Sequence, residues 1–141
     1  MKTGHKRIGN HSTCIELPDV VHLKLVGEVG VEEGRAINQA HIDYAKELPH
    51  FYYMIDLSEL DNIPAMVRKE ASETVKTLPL RGTVIYNTPL RARVIAKLLL
   101  TAANLFKGGA GQNPMDFVDT EEEARDWVER RRRKLASANA A

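Results

Sequence analysis

Alternating apolar and polar side chains predict two short strands near the start of the chain. The segments 12–17 and 20–27 are rich in β-forming residues, and a Pro-Asp pair separates them. In the second segment, alternate residues from Val21 to Leu25 share one face. A turn this short between two strands favours an antiparallel hairpin.

Helical spacing of apolar residues begins directly after this hairpin. The segment 31–48 is predicted to be a helix that ends at Pro49, because proline cannot continue it. The predicted buried stripe of this helix consists of Ile37, Ala40, Tyr44, Ala45 and Leu48. The next segment, 51–58, is almost wholly apolar, which is typical of a central strand covered on both faces.

The rest of the chain continues the alternation of helices and strands. The predicted elements are a helix over 64–78, a strand over 82–87, a helix over 89–106, a strand over 115–118 and a final helix. The final helix begins at Thr120, because Glu123 three residues later completes a capping box. The order β-β-α-β-α-β-α-β-α predicts an α/β domain with a mixed, mostly parallel five-stranded sheet.

Composition indicates a single globular domain. The chain has 141 residues, of which 43% are hydrophobic and 28% charged. We expect the domain to span 12–135, with flexible termini over 1–11 and 136–141, where polar and small residues dominate. The net charge of +1 argues against a nucleic acid as partner.

The single cysteine, Cys14, cannot form an internal disulfide and fits a reducing cytoplasm, which is the predicted location. The basic N-terminal stretch has no apolar run behind it, so it does not resemble a secretory signal. The apolar run 98–100 is far too short to cross a bilayer. We therefore expect no transmembrane segment.

Two segments, "YMIDLSELDNI" (53–63) and "FVDTEEEARDWV" (117–128), resemble the STAS superfamily in their order and spacing. Its type members are bacterial anti-sigma factor antagonists of sporulation. The chain is more closely similar to the SpoIIAA-like subgroup, in which STAS is combined with the CRAL-TRIO lipid-binding fold. Glycines 27, 30 and 34 match the entry of its first helix. The resemblance covers about 12–135 and implies a SpoIIAA-like fold, a non-enzymatic regulatory function and a protein partner.

The resemblance also implies where a partner binds. The implied surface is the loop after the strand 51–58 with the start of the next helix: Ser58, Asp61, Asn62, Ala65 and Met66. In the antagonists, a serine at this helix start is phosphorylated by the partner kinase. Here the segment 63–66 is Ile-Pro-Ala-Met, without a hydroxyl or an acidic group. We therefore expect binding without the usual phosphoserine switch.

Other polar residues near this surface are interpreted as turn residues. Asp56 is expected to order nearby backbone amides through its carboxylate, and Ser58 to cap or turn the chain. Phosphorylation of Ser58 is the alternative.

The cysteine and the histidines do not predict an enzyme. Cys14 lies in an apolar strand, across the predicted hairpin from His22, and a cysteine in such a strand usually packs as a small hydrophobe. The five histidines lack the spacing of metal ligands. We therefore predict no catalytic residue, no metal and no other cofactor.

The segment "KGGAGQNP" (107–114) follows a helix and precedes a strand, the reverse of a phosphate-binding loop. We interpret it as a connection in which a glycine ends the helix. The alternative is a loop that covers a pocket or contacts a partner, formed by Lys107, Gly108, Gly109 and Gly111.

The helix 89–106 is apolar on more than one face, which exceeds what packing on one sheet requires. We expect the surplus to form a homodimer interface. Its predicted residues are Leu98, Leu99, Ala102 and Phe106. Packing within the chain is one alternative, and an apolar pocket in a small-molecule or lipid carrier is another.

The segment "ERRRRKL" (129–135) ends the final helix with clustered positive charge. Arginines at a helix C-terminus interact favourably with the helix dipole, so we expect a solvated helix end. Contact with an anionic membrane surface or an acidic partner is the alternative. Aromatic residues do not alternate with these charges, which argues against single-stranded nucleic acid.

Overall fold

The computed structural model describes residues 1–90, 92–95, 97 and 114–140. Its elements are β1 (Lys2–Ile8), β2 (His11–Glu16), β3 (Val20–Glu28), α1 (Val31–Glu47), β4 (Phe51–Asn62), α2 (Ala65–Val75), β5 (Leu80–Tyr86), β6 (Met115–Val118) and α3 (Glu121–Ala140). Residues 92–95, at the start of the helix predicted over 89–106, are also helical.

The described strands form a six-stranded sheet in the order β1-β2-β3-β4-β5-β6. β1, β2 and β3 pair antiparallel, whereas β3, β4, β5 and β6 pair parallel. The predicted α/β class and mixed sheet are confirmed. The predicted number of five strands is wrong, because residues 2–8, expected to be flexible, form β1 along the outer edge of β2.

β1 was not predicted from the sequence because this strand has no apolar face. Most of its side chains are exposed, and it carries two lysines, an arginine and a histidine. Charged side chains on an edge strand discourage pairing with a second chain, which is a common reason for such a composition. β1 is connected to the core by Tyr44 of α1, whose hydroxyl donates a 2.5 Å hydrogen bond to the carbonyl oxygen of Gly4.

Helices cover the sheet on both faces. α1, α2 and the helical residues 92–95 pack on one face, and α3 packs on the other. The first core includes Ile37, Tyr44, Ala45 and Leu48 of the predicted α1 stripe and the predicted face of β3 from Val21 to Leu25. Ala40, the fifth residue of the stripe, is also buried. The second core is smaller and consists of Val20, Tyr52, Met54, Val84, Tyr86, Ala124 and Val128.

Two glycines allow these helices to approach their neighbours closely. A Cβ at Gly34 of α1 would lie 2.7 Å from Cγ1 of Val67 in α2. A Cβ at Gly82 of β5 would lie 2.7 Å from Cη2 of Trp127 in α3. Any side chain at either position would push the helix away from its partner.

β4 is longer than predicted, because its Asp-Leu-Ser sequence forms a bulge instead of a turn. Lys24 of β3 pairs with Asp56, and Val26 pairs with Glu59, so β4 contains one extra residue between these pairs. An Asp56 carboxylate oxygen accepts a hydrogen bond from the Ser58 amide (2.9 Å). The predicted role of Asp56 in ordering a backbone amide is thus confirmed, but within a strand.

The final helix begins as predicted. The amide of Glu123 donates to Oγ1 of Thr120 (3.1 Å), which is the expected N-terminal cap. The helix continues to Ala140, so residues 136–140 are helical, although the sequence predicted a flexible end there.

Candidate functional site

The carboxyl ends of β3, β4 and β5 meet at one edge of the sheet, because these strands are parallel. α1 follows β3 and α2 follows β4, so both helices begin at this edge. In α/β proteins with open sheets, ligands and partners usually bind at the carboxyl ends of the strands. This edge therefore contains the strongest candidates for a functional site.

The five residues of the predicted partner surface do meet at this edge. Ser58, Asp61 and Asn62 lie in the last part of β4, and Ala65 and Met66 are the first two residues of α2. All five are exposed. We call these five residues the β4–α2 surface.

Met66 is the large apolar residue of the β4–α2 surface. It is 58% exposed, although its neighbours Ile63 and Val67 are buried in the core. On the polar side of the surface, the side-chain amide of Asn62 donates a hydrogen bond from Nδ2 to Oε1 of Glu28 at the end of β3 (3.4 Å). The surface thus combines one exposed thioether side chain with a polar rim.

The start of α2 has no group that could accept a phosphate by esterification. Pro64 precedes the helix and makes no side-chain cap, and the first turn is Ala65, Met66, Val67 and Arg68. Ser58 lies upstream in β4, where the Asp56 carboxylate accepts the hydrogen bond of its amide.

A buried histidine fixes the start of α1 at the same edge. His11, only 1% exposed, accepts a hydrogen bond at Nδ1 from the Val26 amide (3.0 Å). Its Nε2 therefore carries the hydrogen and donates to Oε1 of Glu33 (3.2 Å). The same oxygen accepts from the Gly30 amide (3.0 Å), and these two hydrogen bonds, the backbone one first, lower the pKa of Glu33. His11 lies in the segment 1–11, which was expected to be flexible, and its sequence context does not predict this role.

At the same edge, a row of polar side chains lies on the other face of the sheet. Ser12 pairs with Lys24, Lys24 with Asp56, and Asp56 with Tyr86, so the four residues stand opposite one another on four adjacent strands. Residues paired in this way share a face. We call Ser12, Lys24, Asp56 and Tyr86 the polar row.

A pocket of about 280 Å³ lies over the polar row. Lys2 and His5 of β1 line one side of it, and Glu121, the first residue of α3, lines another. Farther along the helix, α3 covers the apolar residues nearer the amino ends of the strands. We call this space the polar pocket.

Cys14 and His22 also line the polar pocket and lie directly opposite each other on β2 and β3. Burial raises the pKa of the Cys14 thiol, which disfavours the thiolate. Nε2 of His22 contacts Oε1 of Glu16 (3.1 Å), and burial lowers the pKa of His22. The arrangement agrees with the interpretation of Cys14 as a small buried side chain.

Arginines of α3 bind carboxylates of the β2–β3 hairpin and so fix the helix across the sheet. Arg125 donates to both carboxylate oxygens of Glu16 (2.6 and 3.0 Å), and these hydrogen bonds lower the pKa of Glu16 to about 2. Nε of Arg132 donates to both oxygens of Asp19 (3.1 Å each).

The arginine-rich end of α3 is therefore largely paired with acidic residues. Arg132 also binds Glu129 (3.0 Å), Arg130 lies 3.3 Å from Asp126, and Arg133 lies 3.6 Å from Glu129. Several of these contacts are exposed, as expected of a solvated helix end. Contact of this segment with a membrane stays a prediction.

A different polar network lies inside the core on the α1–α2 face. Thr13 donates its hydroxyl hydrogen to the His22 carbonyl (2.7 Å), so it accepts from Nε2 of His41 (2.9 Å). The Tyr53 hydroxyl donates to Nδ1 of His41 (2.7 Å). Both ring nitrogens of His41 are therefore satisfied in the neutral form, and burial lowers its pKa to about 3. We call Thr13, His41 and Tyr53 the His41 network.

The His41 network borders an apolar cavity of about 80 Å³ between α1, α2 and the sheet. Its walls are mostly aliphatic side chains, including Leu25, Ile37, Ile55 and Val67. Ligand pockets for drug-sized molecules usually measure about 300–1,000 Å³. This cavity is too small for a lipid.

Some predicted residues fall outside the described part of the chain. They are the loop residues Lys107, Gly108, Gly109 and Gly111 and the interface residues Leu98, Leu99, Ala102 and Phe106. The homodimer interface and the pocket-covering loop stay predictions.

Within residues 1–90, 92–95, 97 and 114–140, no helix is long and apolar enough to cross a bilayer. The same residues contain no group of three or more histidine, cysteine or acidic side chains arranged to hold a metal ion.

Comparison with known proteins identifies the fold. No family model matches the sequence, and no curated protein matches it. A crystal structure of an uncharacterised DUF3478-family protein from Shewanella loihica PV-4, which has a SpoIIAA-like fold, is similar with a TM-score of 0.55 and 16% identity. That similarity covers 88% of this chain and 89% of the other.

The anti-sigma factor antagonist SpoIIAA, in its unphosphorylated form, is similar with a TM-score of 0.55 and 15% identity over 84% of this chain and 96% of that protein. The predicted SpoIIAA-like fold is thereby confirmed. The chain has a SpoIIAA-like fold.

Proposed function

We propose that this protein is a non-enzymatic regulatory domain that binds another protein through the β4–α2 surface. The observation that carries the proposal is the exposure of Met66 beside four exposed polar or small residues at the carboxyl edge. Methionine is a flexible and polarisable side chain that adapts to partner surfaces. An apolar centre with a polar rim is the usual composition of a protein interface.

The fold supports a protein partner by analogy only. SpoIIAA, which shares the fold, is an anti-sigma factor antagonist. At 15% identity this similarity concerns the fold, so the partner of the present chain has to be inferred from its own surface.

The proposed binding does not use a phosphoserine at the start of α2, because the first turn of that helix has no hydroxyl group. We infer that the surface is in its binding form without modification. Intact-mass measurement and peptide mapping of residues 52–66 from cells of origin would test this point. Phosphate on Ser58 in an appreciable fraction of the protein would contradict it.

The apolar cavity beside the His41 network, at about 80 Å³, does not support a lipid carrier. The carrier pocket predicted under the helix 89–106 and the glycine loop lies largely outside the described residues and stays an alternative. Among the described residues, the pair Cys14 and His22 does not favour nucleophilic catalysis, because burial raises the pKa of the Cys14 thiol and Nε2 of His22 contacts Glu16. We propose the cytoplasm as the location, since the only cysteine is an unpaired thiol.

Affinity capture from cells of origin tests the proposed surface when it compares three proteins. These are the wild type, Met66→Glu and the control Leu17→Glu, in which the replaced residue is also apolar and 48% exposed but lies at the opposite edge of the sheet. We expect the wild type and the control to capture the same one or few proteins. The captured amount of these proteins should be at least tenfold lower with Met66→Glu. Equal capture by all three proteins would contradict the proposal.

A further inference from the structure

Arg68 of α2 has a hydrogen-bond donor without an acceptor. Its Nε is buried, and no described residue accepts a hydrogen bond from it. Among the side chains that the structure describes, this is the only buried nitrogen or oxygen atom without a partner. Buried polar groups are normally satisfied, because a donor that has lost water and gained no acceptor destabilises the fold. A guanidinium left in this state therefore needs an explanation.

Other helical arginines show how the chain usually satisfies such a group. Nε of Arg35 in α1 donates to both carboxylate oxygens of Glu70 in α2 (3.0 and 3.3 Å). Arg125 of α3 donates to both oxygens of Glu16. No ion pair connects Arg68 to a carboxylate of the described residues. The positive charge of Arg68 is thus not compensated within the described part of the chain.

Arg68 lies on the inner side of α2 and extends toward the carboxyl edge. Ser72 and Val75, four and seven residues later on the same side of the helix, are buried, and Arg68 is half-buried. Side chains of a helix lean toward its N-terminus, which for α2 is the carboxyl edge of the sheet. The guanidinium is therefore placed at the inner border of the β4–α2 surface.

The start of α2 adds positive potential at the same place. Its first turn contains no acidic residue, and Pro64 makes no side-chain cap, so the positive end of the helix dipole has no anionic neighbour on the helix itself. Lys69 follows Arg68 and is exposed. Asp61, the acidic residue of the β4–α2 surface, is engaged in a contact of its own. These features favour an anionic group from outside the chain.

We propose that Arg68 binds a carboxylate of the protein partner, the side chain of an aspartate or glutamate that docks beside Met66. The inference rests on the proposed function of the β4–α2 surface and adds the charge of the partner to it. A carboxylate matches the planar fork of a guanidinium. Phosphate groups are usually recognised by clusters of arginines, whereas the inner side of α2 provides a single one.

The first consequence concerns the free protein. Arg68→Met keeps an apolar stem of similar length and removes the unsatisfied donor, so the variant should be as stable as the wild type or more stable. Chemical denaturation measures this, with Arg35→Met as the reference, because that substitution breaks a satisfied pair. We expect the midpoint of Arg68→Met to lie at or above that of the wild type and above that of Arg35→Met. A midpoint clearly below the wild type would show that Arg68 stabilises the fold and would overturn the proposal.

The second consequence concerns the partner. Affinity capture with wild type and Met66→Glu is extended to Arg68→Met, Arg68→Lys and the control Arg130→Met, which changes an exposed arginine of α3. We expect Arg68→Met to lower the captured amount of the same proteins at least tenfold, Arg68→Lys to lower it less, and the control to leave it unchanged. Full capture by Arg68→Met together with loss by Met66→Glu would overturn this inference alone. Equal capture by wild type and Met66→Glu would instead contradict the proposed function.

Two further measurements identify the anionic group. Phosphatase treatment of the lysate should leave capture by the wild type unchanged, and loss of capture would show that the group is a phosphate and not a carboxylate. In the captured partner, aspartates and glutamates would then be replaced one at a time by asparagine and glutamine. One replacement should weaken binding as much as Arg68→Met does, with no additional loss when the two are combined. Full additivity with Arg68→Met for every replacement would overturn the assignment.

Discussion

The two faces of the sheet stabilise the same fold by different chemistry. On the α1–α2 face, the His41 network is neutral and buried, and each ring nitrogen of His41 has one partner. On the α3 face, the contacts that span the sheet are charged and partly exposed, from Arg125 to Glu16 and from Arg132 to Asp19.

This difference explains why the polar pocket lies on the α3 face. The cavity on the α1–α2 face is lined mostly by apolar side chains, and both ring nitrogens of its histidine already have partners. Arg125 and Arg132 fix α3, which covers only part of this face of the sheet, so the polar row remains accessible at the carboxyl edge.

The largest effect is expected for His41→Ala. The substitution leaves a cavity and removes the acceptor of the buried Tyr53 hydroxyl, so the free energy of unfolding should fall by about 4 kcal/mol. Chemical denaturation would measure it, with the exposed His5→Ala as control, which should change stability by less than about 0.5 kcal/mol. Similar losses for both variants would contradict the neutral, buried role of His41.

The same network predicts a dependence on pH. The pKa of His41 is lowered to about 3 in the folded protein, while an unfolded histidine titrates near 6.5. Below pH 6.5 the unfolded state binds a proton that the folded state does not, so stability falls as the pH is lowered toward 3. The stability difference between wild type and His41→Ala should therefore shrink by about 2 kcal/mol between pH 7 and pH 5.

Denaturation of both proteins at pH 7, 6 and 5 measures this change. His22 and His50, whose pKa values burial also lowers, remain in both proteins, so their contributions cancel in the difference. A difference that does not vary with pH would mean that His41 is protonated or exposed in the folded protein.

An intermediate effect is expected where α3 meets β5. In Gly82→Ala, the new methyl group would lie 2.7 Å from the Trp127 ring, which should cost about 1.5 kcal/mol of stability. When Trp127 is replaced by leucine, Gly82→Ala should cost much less stability than in the wild type. A double-mutant cycle would detect this difference. Additive effects of the two substitutions would show that the ring does not lie over Gly82.

The smallest effect is expected for the charged contact on the α3 face. Glu16→Gln removes the charge but keeps an acceptor for Arg125, so stability should fall by about 1 kcal/mol, given the partial exposure of the pair. Because salt screens partly exposed charges, this loss should decrease in 1 M salt, whereas the loss for His41→Ala should not. Equal salt dependence of both variants would remove the distinction between the two faces.

Much of the fold was predictable from the sequence, because strong apolar periodicity reports which elements are buried. The buried stripe of α1 and the short strand β6 are confirmed at their predicted positions. β1 was missed, because an exposed edge strand needs no apolar pattern. The end of β4 was misplaced, because Asp56 and Ser58 are residue types that form either a turn or a bulge, and only the register with β3 distinguishes the two.

The candidate site was predictable only in part. The five residues of the β4–α2 surface all lie within the segment 58–66, so the resemblance to SpoIIAA-like proteins could place them together. The polar row draws one residue from each of four strands, and only the strand order and register bring Ser12 beside Lys24 and Asp56 beside Tyr86. His41 had a sequence signal, since it follows Ile37 by four residues on the buried side of α1, but a lone histidine gives no indication of its partners.

Photo-crosslinking in cells of origin is the most direct test of protein binding through the β4–α2 surface. A benzophenone amino acid would replace Met66 in one protein and Leu17 in another, since both side chains are apolar and exposed but lie at opposite edges of the sheet. We expect a discrete protein adduct at position 66, which excess wild-type protein reduces and excess Met66→Glu does not. No adduct at position 66, or the same adducts at position 17, would contradict protein binding through the β4–α2 surface.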